Sequence, residues 1–481
     1  MTRSQRLTLV AAILGSGVAT LDGSIVNVAL PAIERDLGGG LPAQQWVSNA
    51  YLLALGSLIL IGGSLGDIYG ERRVFAVGVA AFGLLSVACA VAPTIETLIA
   101  ARALQGAAGA LLTPGSLAII VAAFSPKERG RAIGAWTAWG MIAGIVGPLA
   151  GGAIVDQISW RWIFALNIPL VAVTLVLIFA AVRQTPRVER RRVDFRGAVL
   201  CTLGLGEIVF ALIEQPRFGW ASPAILGPLA VGTIAFASFL AYERRAAQPM
   251  LELELFARRN FAVGNLETLT MYAGLAILFF FLVIFLQQVA GYSALRSGLA
   301  TLPSTLVMFA LSRRFGALAD RYGPRLFMGA GPLIAAAGIL LFLRTGTDTS
   351  YVIDLLPALL VFSLGLAMTV APLTAAVLAD ADETDAGIAS AINNAVARVA
   401  GLVGVSFVGV VVASTLLGDT FAANTESVRA FHQVIVICAV LVAAGGIAGA
   451  IGITNPRRTV KAEKCSGGQL AGIPEPAVDL T

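Results

Sequence analysis

Apolar runs separated by short polar breaks dominate the chain. Runs of roughly 18 residues or more, long enough to cross a bilayer, lie near 7–30, 46–66, 74–92, 97–121, 131–154, 163–182, 197–214, 223–242, 261–288, 298–319, 326–343, 352–377, 388–416 and 433–454. None shows the period-two alternation of a barrel strand, so the pattern predicts fourteen spanning helices. The first run contains Asp22 and leads into Pro31 without a small-residue cleavage site, so it reads as a span and not as a signal peptide.

Composition agrees. Only 13% of the 481 residues are charged and 57% are hydrophobic, against roughly 25% charged for soluble domains. The net charge of +5 suggests nucleic acid at first, but the basic residues form short clusters between the apolar runs. Of 33 Lys and Arg, 25 fall in loops on the N-terminal side of the membrane and six on the other, with Arg102 and Arg398 inside helices. The positive-inside rule then predicts a multi-pass protein of the cell (inner) membrane with both termini cytoplasmic, and no nucleic-acid partner. One inner loop, 379–387, is acidic against this trend. Cys89, Cys201 and Cys438 lie in apolar runs and, with Cys465, form no CxxC pair, so neither a disulfide nor a metal site is expected. His432, the single histidine, is expected in an outer loop at the mouth of the last helix, which leaves proton chemistry to carboxylates. No GxSxG, Walker loop or HExxH occurs, so neither an enzyme nor a nucleotide-driven pump is expected, and no cofactor.

Two inner loops match at an offset of 253 residues: Gly63, Leu65, Asp67, Gly70 and Arg72 recur as Gly316, Leu318, Asp320, Gly323 and Arg325. Each joins the second and third helix of a six-helix unit if two helices are inserted between the units. The expected organisation is 6+2+6: an N-terminal bundle at 1–182, a cytoplasmic linker at 183–196, two inserted helices at 197–242, a C-terminal bundle at 261–454, and a disordered tail at 455–481. Parallel six-helix halves point to alternating-access transport.

With these features the chain resembles the major facilitator superfamily. The loop Gly63 to Arg73 resembles its signature motif, Leu21 to Pro31 (LDGSIVNVALP) resembles a motif of the fourteen-helix drug:proton antiporters of the EmrB/QacA type, and Arg102 to Gly106 (RALQG) resembles RxxQG. Gly140 to Gly152 resembles the antiporter motif GxxxGPxxGG, and Trp160 to Pro169 fits the same family. The resemblance implies an all-α integral membrane protein with the major facilitator fold. It implies a cytoplasmic gate at Gly63, Asp67, Gly70, Arg72, Arg73, Asp320, Gly323 and Arg325, an antiporter motif at Gly144, Gly147, Pro148, Gly151 and Gly152, and proton coupling through Asp22 and Arg102.

Ionisable groups within the spans are costly, which makes them functional candidates. Asp22 lies about fifteen residues into the first helix and Arg102 enters from the outside, so at about 1.5 Å per residue both fall in the outer half. They read either as a switchable coupling pair or as a static ion pair. Glu267, six residues into the ninth span, is expected to line the cavity as a counter-charge for cations, or to act as a structural hydrogen-bonding group. Glu207 is open between cavity and packing; Glu214 reads as interfacial. Asn394 and Arg398 share one helix face and either line the cavity or clamp the halves. Trp136 and Trp139 suit a lipophilic site or simple packing. The expectation is a monomeric, proton-driven exporter of lipophilic compounds, with cations favoured; the alternative is a metabolite or lipid transporter of the same fold.

Overall fold

The computed structural model describes residues 1–183, 193–246, 249–379, 386–416 and 420–455, together with 459–460 and 478–479. Fifteen α-helices are described: α1 (Arg3–Leu37), α2 (Gly40–Tyr69), α3 (Glu71–Ala90), α4 (Ile95–Ala123), α5 (Pro126–Gln157), α6 (Arg161–Ala165), α7 (Asn167–Ala181), α8 (Phe195–Phe218), α9 (Pro223–Glu243), α10 (Arg259–Ile284), α11 (Ala294–Tyr322), α12 (Pro324–Leu340), α13 (Leu356–Ala379), α14 (Ala386–Ala413) and α15 (Thr425–Gly452). Because α6 and α7 together make one span, fourteen cross the membrane, as the apolar pattern predicts. Residues 184–192 of the linker, residues 380–385 of the acidic loop, Cys465 and most of the expected disordered tail lie outside the described residues; within the tail, Thr459–Val460 pairs antiparallel with Val478–Asp479.

The helices outrun the apolar stretches by a turn or more because polar residues cap them in the headgroup region. Thr94 accepts from the Thr97 amide at 3.3 Å to start α4, and Asn424 accepts from the Ser427 amide at 2.8 Å to start α15. The second cap corrects one expectation: His432 lies inside α15, not in an outer loop, and its Nε2 sits 2.9 Å from the Thr345 carbonyl oxygen. Gly70 and Gly323, equivalent in the repeat, turn the chain at φ +91° and +88°, a left-handed backbone that favours glycine.

In the N-terminal half α4 packs on α2 and α3, and α1 on α5 and α7; in the C-terminal half α12 packs on α13, and both α10 and α12 pack on α15. Without a hydrophobic force between helices in lipid, these interfaces depend on close backbone approach. A β-carbon on Gly106 would collide with the Tyr51 carbonyl, and one on Gly62 with that of Ala110. The α8–α9 hairpin sets α8 against α2 and α14, so it touches both halves.

The halves meet chiefly along α5 with α11 and α2 with α14, and the hydrogen bonds between them among the described residues lie toward the face away from the basic loops. There Gln45 Nε2 donates to the Val405 carbonyl at 2.7 Å, Asn49 Nδ2 to Ser406 Oγ at 2.9 Å, and Gln287 Nε2 to the Val28 carbonyl at 2.9 Å. Toward the basic face, β-carbons on Gly130, Gly134, Gly140 and Gly144 of α5 would meet nothing within 4 Å. The result is a groove between the halves, open at the basic face and sealed at the other.

Candidate functional site

Asp22 of α1 and Arg102 of α4, expected at one depth as a coupling pair or a static ion pair, form an ion pair whose side chains are each 1% exposed. The pair sits in a closed polar nest. Arg102 Nη1 also donates to Gln105 Oε1 at 2.7 Å and its Nε to the Val47 carbonyl at 3.3 Å, while its guanidinium lies 4.2 Å from the Tyr51 ring centroid. Asp22 Oδ1 accepts from Gln105 Nε2 at 3.1 Å and from Asn167 Nδ2 at 2.9 Å. Gln105 Nε2 donates in turn to Ser86 Oγ at 2.9 Å. A desolvated charge pair survives when its remaining donors and acceptors are met, and removing either partner leaves the other uncompensated. Gln105 and Asn167 belong to recognised motifs; Ser86 and Tyr51 were missed, and their only sequence signal is polarity within an apolar run.

The glycine-rich stretch of α5 divides between two neighbours. Gly147 and Gly151 face α1: β-carbons there would strike Ser24 and come within 3.0 Å of Ile25. Gly152 faces α11 of the other half, where a β-carbon would lie 2.6 Å from Leu295 Cα, and a β-carbon on Gly298 of α11 would lie 2.6 Å from the Pro148 carbonyl oxygen. Gly144 faces open space. One turn on, Asp156 accepts from the Ala294 amide at 3.0 Å and the Leu295 amide at 2.9 Å, placing a carboxylate on the positive N-terminus of α11. Asp156 was not singled out from sequence; it lies just beyond the motif.

Asn394 and Arg398, expected to line the cavity or clamp the halves, lie on α14 where it crosses α2, a β-carbon on Gly56 lying 3.5 Å from the Arg398 β-carbon. Asn394 is exposed and Arg398 partly so. Glu267 is a correction: it is fully buried in the C-terminal half, its Oε2 aimed at α15 so that a β-carbon on Gly449 would lie 2.6 Å away. Position along α10 gave its depth but not its azimuth. Glu207 is half-buried against α9, 3.0 Å from a β-carbon built on Gly232. Glu214 accepts from Trp46 Nε1 at 3.0 Å at the outer end of α8, interfacial as expected. Trp136 Nε1 donates to Ser16 Oγ at 2.7 Å, tying α5 to α1, and Trp139 is 53% exposed.

The two signature loops make matching contacts. Arg72 Nη2 donates to the Phe179 carbonyl at 3.1 Å near the end of α7, and Arg325 Nε to the Ala450 carbonyl at 2.6 Å near the end of α15. In each half an arginine clasps the negative end of the last helix. Gly63 packs on Pro114 and Gly316 on Ala371, again inside their own halves. Arg73 and Asp320 are exposed.

The profile of the Major Facilitator Superfamily matches residues 12–405. Over 417 residues the chain is 35% identical to the multidrug resistance protein Stp of Mycobacterium tuberculosis (strain CDC 1551 / Oshkosh), covering 86% of this chain and 77% of that one. Over 415 residues it is 37% identical to the puromycin resistance protein pur8 of Streptomyces alboniger, covering 84% and 81%. A bacterial homologue of the lysosomal transporter Spinster, solved inward-facing and unoccupied, matches with a TM-score of 0.69 at 16% identity, over 94% of this chain and 97% of that one; this likeness concerns the fold. With its paired six-helix halves, inserted hairpin and motif loops, the chain belongs to the major facilitator superfamily.

Proposed function

We propose that the protein exports lipophilic, drug-like compounds in exchange for protons, by alternating access. The reading places the basic face in the cytoplasm, so that the groove described above is open inward, and the protein works as a monomer without a cofactor. The observation that carries it is a buried acid–base pair, Asp22 with Arg102, within the half that also supplies the glycine seam to α11. Breaking the pair by protonation changes the charge of one half, and the seam is where the halves part. Kinship with proteins named for multidrug and puromycin resistance supports drugs as cargo. Accumulation of a dye and antibiotic panel in cells with and without the protein, with and without an uncoupler, tests it: the protein lowers accumulation and the uncoupler restores it. Accumulation raised by the protein would mean import and overturn the reading.

One observation favours a second reading. An apolar cavity of about 390 Å³ lies between the α8–α9 hairpin and both halves, lined by Leu60, Cys201, Phe236, Phe239, Leu269 and Val399. Such a chamber suits an acyl chain, so a lipid transporter of the same fold is the alternative. Protein-dependent movement of labelled phospholipid in vesicles, with no dye export, would favour it.

A further inference from the structure

At the head of the groove α14 crosses α2, and a β-carbon on Gly56 would lie 3.5 Å from the β-carbon of Arg398. Residues 394, 398, 401 and 405 form one helical stripe. On one flank Asn393 Nδ2 bonds α10 at Asn265 (3.1 Å) and Thr268 (2.8 Å). On the other flank Ser406 receives Asn49 of α2. Its upper part, Gly401 and Val405, is buried, with Gly401 against Ala276 of α10, whereas Asn394 is exposed and Arg398 partly so, so the Asn394–Arg398 end is the part that looks into the groove.

Arg398 has no ion-pair or hydrogen-bond partner among the described residues, and its Nε is both buried and unsatisfied. No carboxylate pairs with it among the described residues: Asp22 is held by Arg102, Gln105 and Asn167, Glu267 is turned toward Gly449 inside the C-terminal half, and Glu207 belongs to α8 of the hairpin, its β-carbon beside Gly232 of α9. Among the described residues, the fixed charge at the groove's head is therefore the Arg398 guanidinium, without a carboxylate partner.

An unpaired cation in a low-dielectric cleft is costly. An anion that binds it recovers that cost through charge-assisted, bidentate hydrogen bonds, whereas a cation meets like charge. We propose that Arg398 recognises the acidic group of the transported compounds, so that the groove favours lipophilic molecules bearing a carboxylate over their neutral or cationic analogues. This rests on the export reading and names its substrate class, against the preference for cations expected from Glu267.

The test is a matched set of fluorophores: dansylglycine (carboxylate), dansylglycinamide (neutral) and dansylcadaverine (cation), titrated against the purified full chain in nanodiscs. The parent protein should bind dansylglycine most tightly. Arg398→Gln should weaken dansylglycine about tenfold and leave dansylglycinamide within about twofold, while Arg398→Lys, which keeps the charge, should retain most of the preference and control for folding. An equal loss for all three compounds, an unchanged affinity for the acid, or a parent protein that prefers the cation would overturn the proposal. Dye export by the parent in cells, scored separately, distinguishes failure of this inference from failure of the export reading.

Discussion

Asp22 and Arg102 stand 80 positions apart and meet side chain to side chain. Asp22→Asn keeps the size and can still accept from Asn167, but it removes the charge that Arg102 answers. The expected outcome is a protein that inserts normally and loses uphill, proton-driven export; full uphill transport by the variant in vesicles would remove Asp22 from the coupling. Depth along a helix is legible from the sequence, which is why this pair was foreseeable. Azimuth is not, which is why Glu267 was not: the features that receive it, Gly445 and Gly449 one turn apart on α15, read in the sequence as ordinary small packing residues. With its carboxyl inside the C-terminal half, Glu267→Gln is expected to leave the relative transport of cationic and neutral compounds unchanged. A selective loss for cations at matched expression would put the carboxyl back in the groove.

Among the elements, α5 and α11 carry the seal. Gly152 leaves no room for a side chain against Leu295, and forcing one into a packed contact typically costs about 1 to 3 kcal/mol. Gly152→Leu should therefore push the outer ends of α5 and α11 apart, lengthening the distance between spin labels at those ends; an unaltered distance distribution would show that the seam is not the seal. Asp156→Ala, which strips the α11 N-terminus of its carboxylate, should shift the same distribution in the same direction by less. The number of helices was readable because a bilayer demands length and apolarity, and the Gly140 to Gly152 stretch was readable as an interface. Which glycine faces which neighbour was not, because that depends on the rotation of α5 between α1 and α11. The start of α15 was misplaced, leaving His432 outside it, for a simpler reason: caps and charged turns in the headgroup layer extend helices past the point where hydropathy falls, and Asn424 caps α15 so that His432 is its eighth residue.

For the whole molecule, the repeated loops imply that each half moves as a body, since Arg72 and Arg325 close contacts within their own halves. Asp67 lies in the last turn of α2, beside the first of these motif turns and about three helical turns beyond Gly56, which neighbours Arg398. Asp67→Ala should slow turnover by more than it weakens substrate binding, as separate measurement of exchange rate and affinity would reveal; an affinity loss with normal turnover would contradict this. The two clasps also bear on biogenesis. The carbonyls that end α7 are met by Arg72, Ser4 and Thr8, all of which precede them in the chain, so the first half can finish its own closure while the ribosome is still making the second. The last helix is met likewise by Arg259 and Arg325, both from its own half. A gene split within 183–196 and expressed as two pieces should thus yield halves that insert separately and find each other in the bilayer, as an assembly whose strength comes from the seam between α5 and α11 and the crossing of α2 with α14 rather than from the covalent link.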